Sequence, residues 1–144
     1  MKIRQASLAD VSALLPLYED LGYPTTQKLL SQRLENILSN STYGCLVAEE
    51  KEEILGFLGY VQLCFFEDEG SYFRILALSV RQESRRKGIG TALLNELKKI
   101  AEQNRVKALT LNSGLGVDRQ VAYRFYEKFG FEKVTTGFGL YLEE

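Results

Sequence analysis

The residues with the clearest chemical potential form a short basic stretch near the middle of the chain. It reads RRKGIGTALL from Arg85 to Leu94, so three cations run into a Gly-x-Gly where an apolar helical pattern begins. The first turn of a helix exposes N–H groups without intrahelical partners and carries about half a positive charge. Glycines there let the backbone approach a ligand closely. The stretch suits a phosphate or pyrophosphate; the alternative is a capped surface helix after a solvated basic turn.

Two common phosphate-binding motifs do not fit this stretch. A Walker loop ends in Gly-Lys-Ser/Thr, whereas Gly90 is followed by Thr91 and Ala92. A dinucleotide fingerprint needs a third glycine at position 93, which is a leucine here. The sequence therefore favours neither a nucleoside-triphosphate loop nor a Rossmann site.

The composition narrows the remaining chemistry. The 144 residues are 45% apolar and 26% charged, which fits one globular domain with its own core. The absence of histidine excludes Ser-His and Cys-His pairs, and we expect no metal. Cys45 and Cys64 lie in apolar runs and are predicted to be core thiols in a reducing compartment. A net charge of −1 gives no general attraction to nucleic acid or to an anionic membrane.

The elements that must position the basic stretch are predicted from hydrophobic periodicity. Their order is β-α-α-β-β-β-α-β-α-β-β, one mixed α/β sheet whose middle strands form an antiparallel meander. The strand Ser71–Val80 ends just before the basic stretch, and the strand Val106–Asn112 follows the helix. A strand–helix–strand crossover makes these two strands parallel neighbours.

Three local expectations accompany this order. Pro16 should kink or break the first helix, which spans Leu8 to Leu21. Asp118 should cap the last helix. The apolar segments 131–135 and 138–142 should form the last two strands.

Two motifs and their spacing resemble the GNAT superfamily of acyl-CoA-dependent N-acyltransferases. LSVRQESRRKGIGTALL resembles the coenzyme A loop of that family, and AYRFYEKFGFE, Ala122–Glu132, is similar to its later Ala-x-x-x-Tyr helix ending in Gly-Phe. The resemblance covers essentially the whole chain. It implies a single domain over residues 1–144, with a mixed, mostly antiparallel sheet, one parallel and splayed strand pair, and helices on both faces.

The resemblance also implies acetyl-CoA as co-substrate. By this resemblance, backbone N–H groups of the loop together with Thr91 would hold the pyrophosphate, and Arg85 would add a side-chain contact. Strand backbone would hold the pantetheine arm. Asn112 and Ser113 are candidates for the same arm, although a simple strand-ending turn is an equal alternative. The implied cofactor-binding residues are Leu78, Val80, Arg85, Arg86, Lys87, Gly88, Gly90, Thr91, Asn112 and Ser113.

For catalysis, the resemblance points to Tyr126 as the general acid that protonates the departing thiolate. The alternative is a core tyrosine with a satisfied hydroxyl. The strand SYFRILALSV carries no carboxylate, so a water relay is the preferred general base. Glu19 and Asp20 precede the expected acceptor cleft and could bind a cationic amine, but a solvated surface is the favoured interpretation.

The leading hypothesis is an acetyl-CoA-dependent N-acetyltransferase acting on the primary amine of a small molecule. Alternatives are a peptide or protein N-acetyltransferase and, in another class, a non-catalytic acyl-CoA sensor. The sequence predicts a cytoplasmic protein without nucleic-acid or membrane partners, and a homodimer is possible. It does not identify the acceptor.

Overall fold

A computed structural model of the chain describes residues 1–113, 120–135 and 137–142. The chain divides into two compact units, residues 1–111 and residues 112–144. Asp118, which the sequence predicts to cap the last helix, lies outside the described residues.

Five strands form one sheet in the first unit, in the spatial order β1-β2-β3-β4-β5. Their bounds are β1 Lys2–Gln5, β2 Tyr43–Glu50, β3 Glu53–Cys64, β4 Ser71–Val80 and β5 Leu109–Leu111. The first four strands pair antiparallel, and β5 pairs parallel with β4. The meander and the parallel pair are therefore confirmed, although β5 is shorter than the predicted Val106–Asn112.

Helices cover both faces of this sheet. The helices are α1 Val11–Leu21, α2 Gln27–Leu38 and α3 Ile89–Gln103 in the first unit, and α4 Gln120–Phe129 in the second. The buried leucines of α1 and α2 pack with Cys45 and Phe57 of the sheet. Neighbouring strand residues point to opposite faces, and Gly56 lies against Ile89 at the start of α3. The helix α3 therefore lies on the face opposite α1 and α2.

The prediction that Pro16 breaks the first helix is wrong. The helix α1 runs through Pro16 without interruption, after a separate 3-10 turn at Leu8–Asp10. Proline cannot donate to the carbonyl of Ser12, one turn earlier. Ser12 is exposed, so water can donate instead, and burial of Leu14 and Leu17 compensates for the lost bond.

The predicted strands at residues 131–135 and 138–142 are also wrong. The structure assigns no strand to the described residues 131–135 and 137–142, and Val134, Phe138 and Leu140 are exposed there. Apolar, β-branched and aromatic composition favours a strand only where a neighbouring strand pairs with it.

A charged cluster fixes the N-terminal strand to the start of α1. Arg4 donates two hydrogen bonds to the carboxylate of Asp10, at 2.9 and 2.8 Å, and one to Glu49 at 2.6 Å. Asp10 also accepts from the backbone N–H of Ser7 at 2.8 Å, the contact of a capping box. The hydrogen bond from Arg4 holds the pKa of buried Asp10 below its ordinary value, against the opposing effect of burial.

Asp10→Asn should destabilise the protein because Arg4 and the N–H of Ser7 lose a charged acceptor. We expect the free energy of unfolding to fall by about 2 kcal/mol at pH 7, measured by urea denaturation. The control is Glu83→Gln, which removes one of the two exposed partners of Arg81 and should change stability by less than about 0.5 kcal/mol.

The pH dependence gives the sign of this effect. The folded pKa of Asp10 is depressed, so its contribution is present above the unfolded pKa of about 3.9 and is lost as the pH falls through the folded value. The stability difference between parent and Asp10→Asn should therefore shrink below about pH 4. A difference that is constant from pH 7 to pH 3 would contradict this account.

Candidate functional site

The predicted phosphate-binding stretch forms the connection between β4 and α3. Gly88 is the N-cap of α3 and takes a left-handed conformation, with φ of 79°. Arg86 is also left-handed, with φ of 67°, a conformation that costs an L-residue about 1–2 kcal/mol. Strained backbone of this kind persists where the surrounding structure imposes it, often at ligand-binding sites.

The loop presents a run of N–H groups without acceptors. The first hydrogen bond of α3 joins the N–H of Ala92 to the carbonyl of Gly88, at 2.9 Å. Among the residues that the structure describes, none accepts from the backbone N–H groups that precede it, those of Arg86, Lys87, Gly88, Ile89, Gly90 and Thr91. The flanking cations are exposed. The stretch therefore has the donors and charge that an oxyanion requires.

A close contact between sheet and helix fixes the loop in place. A Cβ atom on Gly56 would lie 3.0 Å from the carbonyl oxygen of Ser79 and 3.2 Å from Cγ2 of Ile89. Glycine on β3 thus lets the first residue of α3 approach the end of β4. Ile89 itself is buried, so it anchors the helix while its neighbours face solvent.

Arg85 turns back onto the strand. Its Nε donates to the carbonyl oxygen of Val80 at 3.3 Å. This contact closes the turn that follows β4 and satisfies a carbonyl at the strand end. Arg85 therefore has a role in shaping the loop, which the sequence alone did not indicate.

The strand β4 contains a bulge at Leu76. Ala77 pairs with Gly59 and Ile75 pairs with Tyr60, so Leu76 is an extra residue with no partner on β3. The pairing with β5 ends at the same place, because Leu111 is opposite Ile75. The bulge therefore coincides with the end of the pairing between β4 and β5.

The bulge also changes which residues point toward the open edge. The N–H of Phe73 donates toward β5, to Ala108 at 2.9 Å, whereas the N–H of Arg81 donates toward β3, to Leu55 at 2.8 Å. Residues two apart on a regular strand point the same way, so the inserted Leu76 accounts for the reversal. Leu78 and Val80 consequently direct their backbone groups away from β3, along an edge that no strand of the described chain occupies.

A cleft opens beside this bulge. It has a volume of about 670 Å³ and lies between α1, α2, the connection between them and β4. Its lining residues are Tyr18, Leu21, Gly22, Tyr23, Pro24, Arg33 and Leu76. Behind the cleft, β4 is joined to α1, because the buried hydroxyl of Ser79 donates to the carbonyl of Leu17 at 2.9 Å. Glu19 and Asp20 are exposed and do not line the cleft.

The remaining predicted site residues lie in the second unit. Tyr126 is half-buried on α4, and its ring contacts Phe125 and Phe131 at centroid distances of 5.4 and 5.8 Å. Asn112 and Ser113 belong to no strand, and Asn112 is exposed. The structure therefore brings the loop residues together with Leu78 and Val80 in the first unit, whereas Tyr126, Asn112 and Ser113 belong to the other unit.

Of the two thiols predicted to lie in the core, Cys45 does and Cys64 does not. Cys45 is buried, and burial raises the pKa of its thiol to about 12, so it is protonated at neutral pH. Cys64 is exposed rather than in the core, because β3 extends beyond the part of the sheet that the helices cover. Both cysteines are free.

Two features of the site were not found from the sequence, the Leu76 bulge and the position of Arg33 in the cleft. Leu76 sits in a continuous apolar run, and a bulge at a leucine leaves no mark in residue type. Arg33 lies on the polar face of α2, where a charged side chain is ordinarily interpreted as a solvated cation.

Two further properties concern only the described part of the chain. No group of three or more acidic or cysteine side chains there is arranged to hold a metal ion. None of its helices is both long and apolar enough to cross a bilayer.

Comparisons with known proteins agree with this geometry. The family model described as "Acetyltransferase (GNAT) family" matches residues 11–131. An uncharacterized N-acetyltransferase, YhfO of Bacillus subtilis, is 34% identical, with 96% of this chain and 93% of that protein covered.

Two solved structures have the same fold. A GNAT family acetyltransferase from Staphylococcus aureus superposes with a TM-score of 0.85 at 32% identity, covering 98% of both chains. The aminoglycoside acetyltransferase HMB0005, from an uncultured soil metagenomic sample, gives 0.80 at 23% identity, covering 99% of this chain and 98% of that one, and shows the fold alone.

The family model spans most of the chain, and two relatives exceed 30% identity over nearly its whole length. The loop, the parallel strand pair and these matches together show that the chain belongs to the GNAT family and is an acetyl-CoA-dependent N-acetyltransferase.

Proposed function

We propose that this protein transfers the acetyl group of acetyl-CoA to the primary amine of a small molecule, bound in the cleft beside Leu76. The observation that carries the proposal is the continuity of three features in the first unit: unpaired loop amides, an open β4 edge, and a cleft at the bulge. They supply, in order, sites for a pyrophosphate, an extended arm and an acceptor.

The loop residues fit a pyrophosphate. Backbone N–H groups of Arg86, Lys87, Gly88 and Gly90 would donate to its oxygens, together with the exposed Thr91. The helix dipole of α3 and the exposed cations add favourable charge. Arg85, which donates to Val80, would contribute mainly by holding the loop closed.

The open edge of β4 fits an extended amide-containing chain. Such a chain adds to a sheet edge through main-chain hydrogen bonds, in the manner of an extra strand. Leu78 and Val80 would supply those bonds, and their side chains need only be apolar. Asn112 and Ser113, which follow β5 in the sequence, are the proposed polar contacts to the same arm.

The chemistry requires two proton movements. Acetyl-CoA supplies an activated thioester; transfer forms a C–N bond, breaks the C–S bond and releases a thiolate. We assign protonation of that thiolate to the phenol of Tyr126, whose ordinary pKa of about 10 matches a thiolate of similar basicity. The cleft-lining residues include no carboxylate, so an ordered water is the proposed acceptor of the amine proton.

The cleft size supports a small acceptor. A volume of about 670 Å³ lies within the range of small-molecule sites, about 300–1,000 Å³. The aminoglycoside acetyltransferase HMB0005, which shares the fold, is named for a small-molecule amine. A peptide or protein amine is the alternative acceptor class.

The single domain, the cytoplasmic location and the homodimer stay predictions from the sequence.

Gly88→Leu should weaken binding of CoA. The added side chain would project into the space in front of the loop amides, where no protein atom lies within 4 Å of the Cβ position. Losing two charge-assisted hydrogen bonds should raise the Kd at least about tenfold in isothermal titration.

The matched control for this variant is Gly22→Leu. Gly22 is also left-handed, with φ of 98°, and its Cβ position is equally open, so the backbone strain is comparable. CoA affinity should stay within about threefold of the parent, a difference of about 0.7 kcal/mol. Unchanged affinity in Gly88→Leu, or equal losses in both variants, would refute the assignment of the loop.

Tyr126→Phe should lower kcat by about 100-fold, the usual contribution of a positioned general acid, with little change in the Kd for acetyl-CoA. Tyr123→Phe on the same helix is the control and should keep the parental kcat. Release of CoA thiol across an amine panel measures both. Parental turnover in Tyr126→Phe would remove the acid role, and a parent protein without turnover on any amine would favour the acyl-CoA sensor.

A further inference from the structure

The cleft beside the bulge carries an unusual charge for a site that receives an amine. Its lining residues include one charged side chain, Arg33, and no carboxylate. The two acidic residues nearest in sequence to the cleft-lining part of α1, Glu19 and Asp20, are exposed and do not line it. The described lining of the cleft is therefore positive, which disfavours a polycationic ligand.

Arg33 is supported by an aromatic pair. Its guanidinium carbon lies 5.7 Å from the ring centroid of Tyr18. The Tyr18 ring in turn stacks on buried Phe57, with centroids 5.2 Å apart and an interplanar angle of 8°. Arg33 also donates to the hydroxyl of Tyr18. A guanidinium has five N–H donors, so the others can serve further partners.

No acidic partner occupies those donors in the described part of the chain. The ion pairs there involve Arg4, Arg81 and Lys107, and none involves Arg33. Burial raises the pKa of Tyr18, so its phenol stays neutral and does not offset the charge of Arg33. An unopposed guanidinium in a cleft is a ready binding group for a carboxylate or a phosphate-like oxyanion.

Building on the acetyltransferase function above, we propose that the acceptor is a small apolar amine that also carries an oxyanion, an amino acid or its phosphonate analogue, and that Arg33 binds this oxyanion. The rest of the cleft fits such a molecule. Tyr18, Tyr23, Leu21 and Leu76 provide an apolar surface for its side chain. Leu76 also places the bulge of β4 at the cleft, so the amine lies beside the strand that would hold the thioester.

Arg33 also provides specificity against simple amines. An amine without an acid group would leave the guanidinium without a partner, and a polyamine would meet a like charge. The same positive cleft should therefore select for the zwitterionic acceptor and against its decarboxylated form.

The test compares acceptors that differ only in the oxyanion. The panel contains phenylalanine, its phosphonate analogue, its amide and phenethylamine, with spermidine as the polycation, and CoA thiol release gives KM and kcat for each. We expect kcat/KM for phenylalanine or its phosphonate to exceed that for the amide and phenethylamine by at least about tenfold, as one charged hydrogen-bonded contact provides. The comparison between the first two acceptors distinguishes carboxylate from phosphonate.

The matched variants are Arg33→Gln and Lys28→Gln, which each remove one exposed cation from α2. Lys28 does not line the cleft. Arg33→Gln should raise KM for the acidic acceptor about 10- to 100-fold and leave KM for phenethylamine and acetyl-CoA unchanged. Lys28→Gln should leave all of these constants unchanged.

A binding measurement separates this inference from the proposed function. Phenylalanine and its phosphonate are titrated into the CoA-bound protein by NMR, with the Tyr18 and Arg33 side-chain signals as probes. Saturable shifts in the parent, with Tyr18 shifts that vanish in Arg33→Gln, support the oxyanion site even if no amine is turned over. The oxyanion site is overturned if turnover favours phenethylamine or spermidine, or if neither phenylalanine nor its phosphonate shifts the signals. Either result leaves the acetyltransferase function standing.

Discussion

The organisation of the site depends on one inserted residue in β4. Leu76 has no partner on β3, and it reverses the direction in which the following backbone groups point. A regular strand in its place would direct Leu78 and Val80 toward β3 and would present the backbone groups of Ala77 and Ser79 at the edge where β5 stops. The bulge thus sets which backbone groups β4 presents beyond the end of β5, at the cost of the ladder hydrogen bonds that Leu76 does not make.

The loop after β4 completes what the bulge begins. Gly56 allows Ile89 to pack against the strand end, Arg85 closes the turn on Val80, and Gly88 takes the left-handed conformation that begins α3. None of these contacts involves the N–H groups of the loop, so those amides remain unpaired within the described chain. The atoms that hold this segment in its fold are therefore different from the amides that are proposed to bind the pyrophosphate.

Much of this arrangement could be predicted from the sequence because it depends on short-range patterns. The strand Ser71–Val80, the glycines and cations of the loop, and the helical period of α3 could be read from the sequence, and the crossover rule specified the parallel pair. The bulge could not be predicted, since it arises from a mismatch between two strands. The exposure of Cys64 and the uninterrupted helix at Pro16 could not be predicted either. Both depend on tertiary packing, which can override local sequence preference. Segments 131–135 and 138–142 show the same limit, because strand-forming composition does not provide a pairing partner.

Amide hydrogen exchange tests the central claim most directly, since that claim concerns backbone N–H groups that lack partners until CoA binds. In the free protein the amides of Leu78, Val80, Gly88 and Gly90 should exchange quickly, while that of Ala92, which bonds to Gly88, should be protected. Saturating CoA should slow exchange of the first four at least about tenfold, as new hydrogen bonds form. Protection that appears elsewhere, or four amides already protected without CoA, would contradict the account.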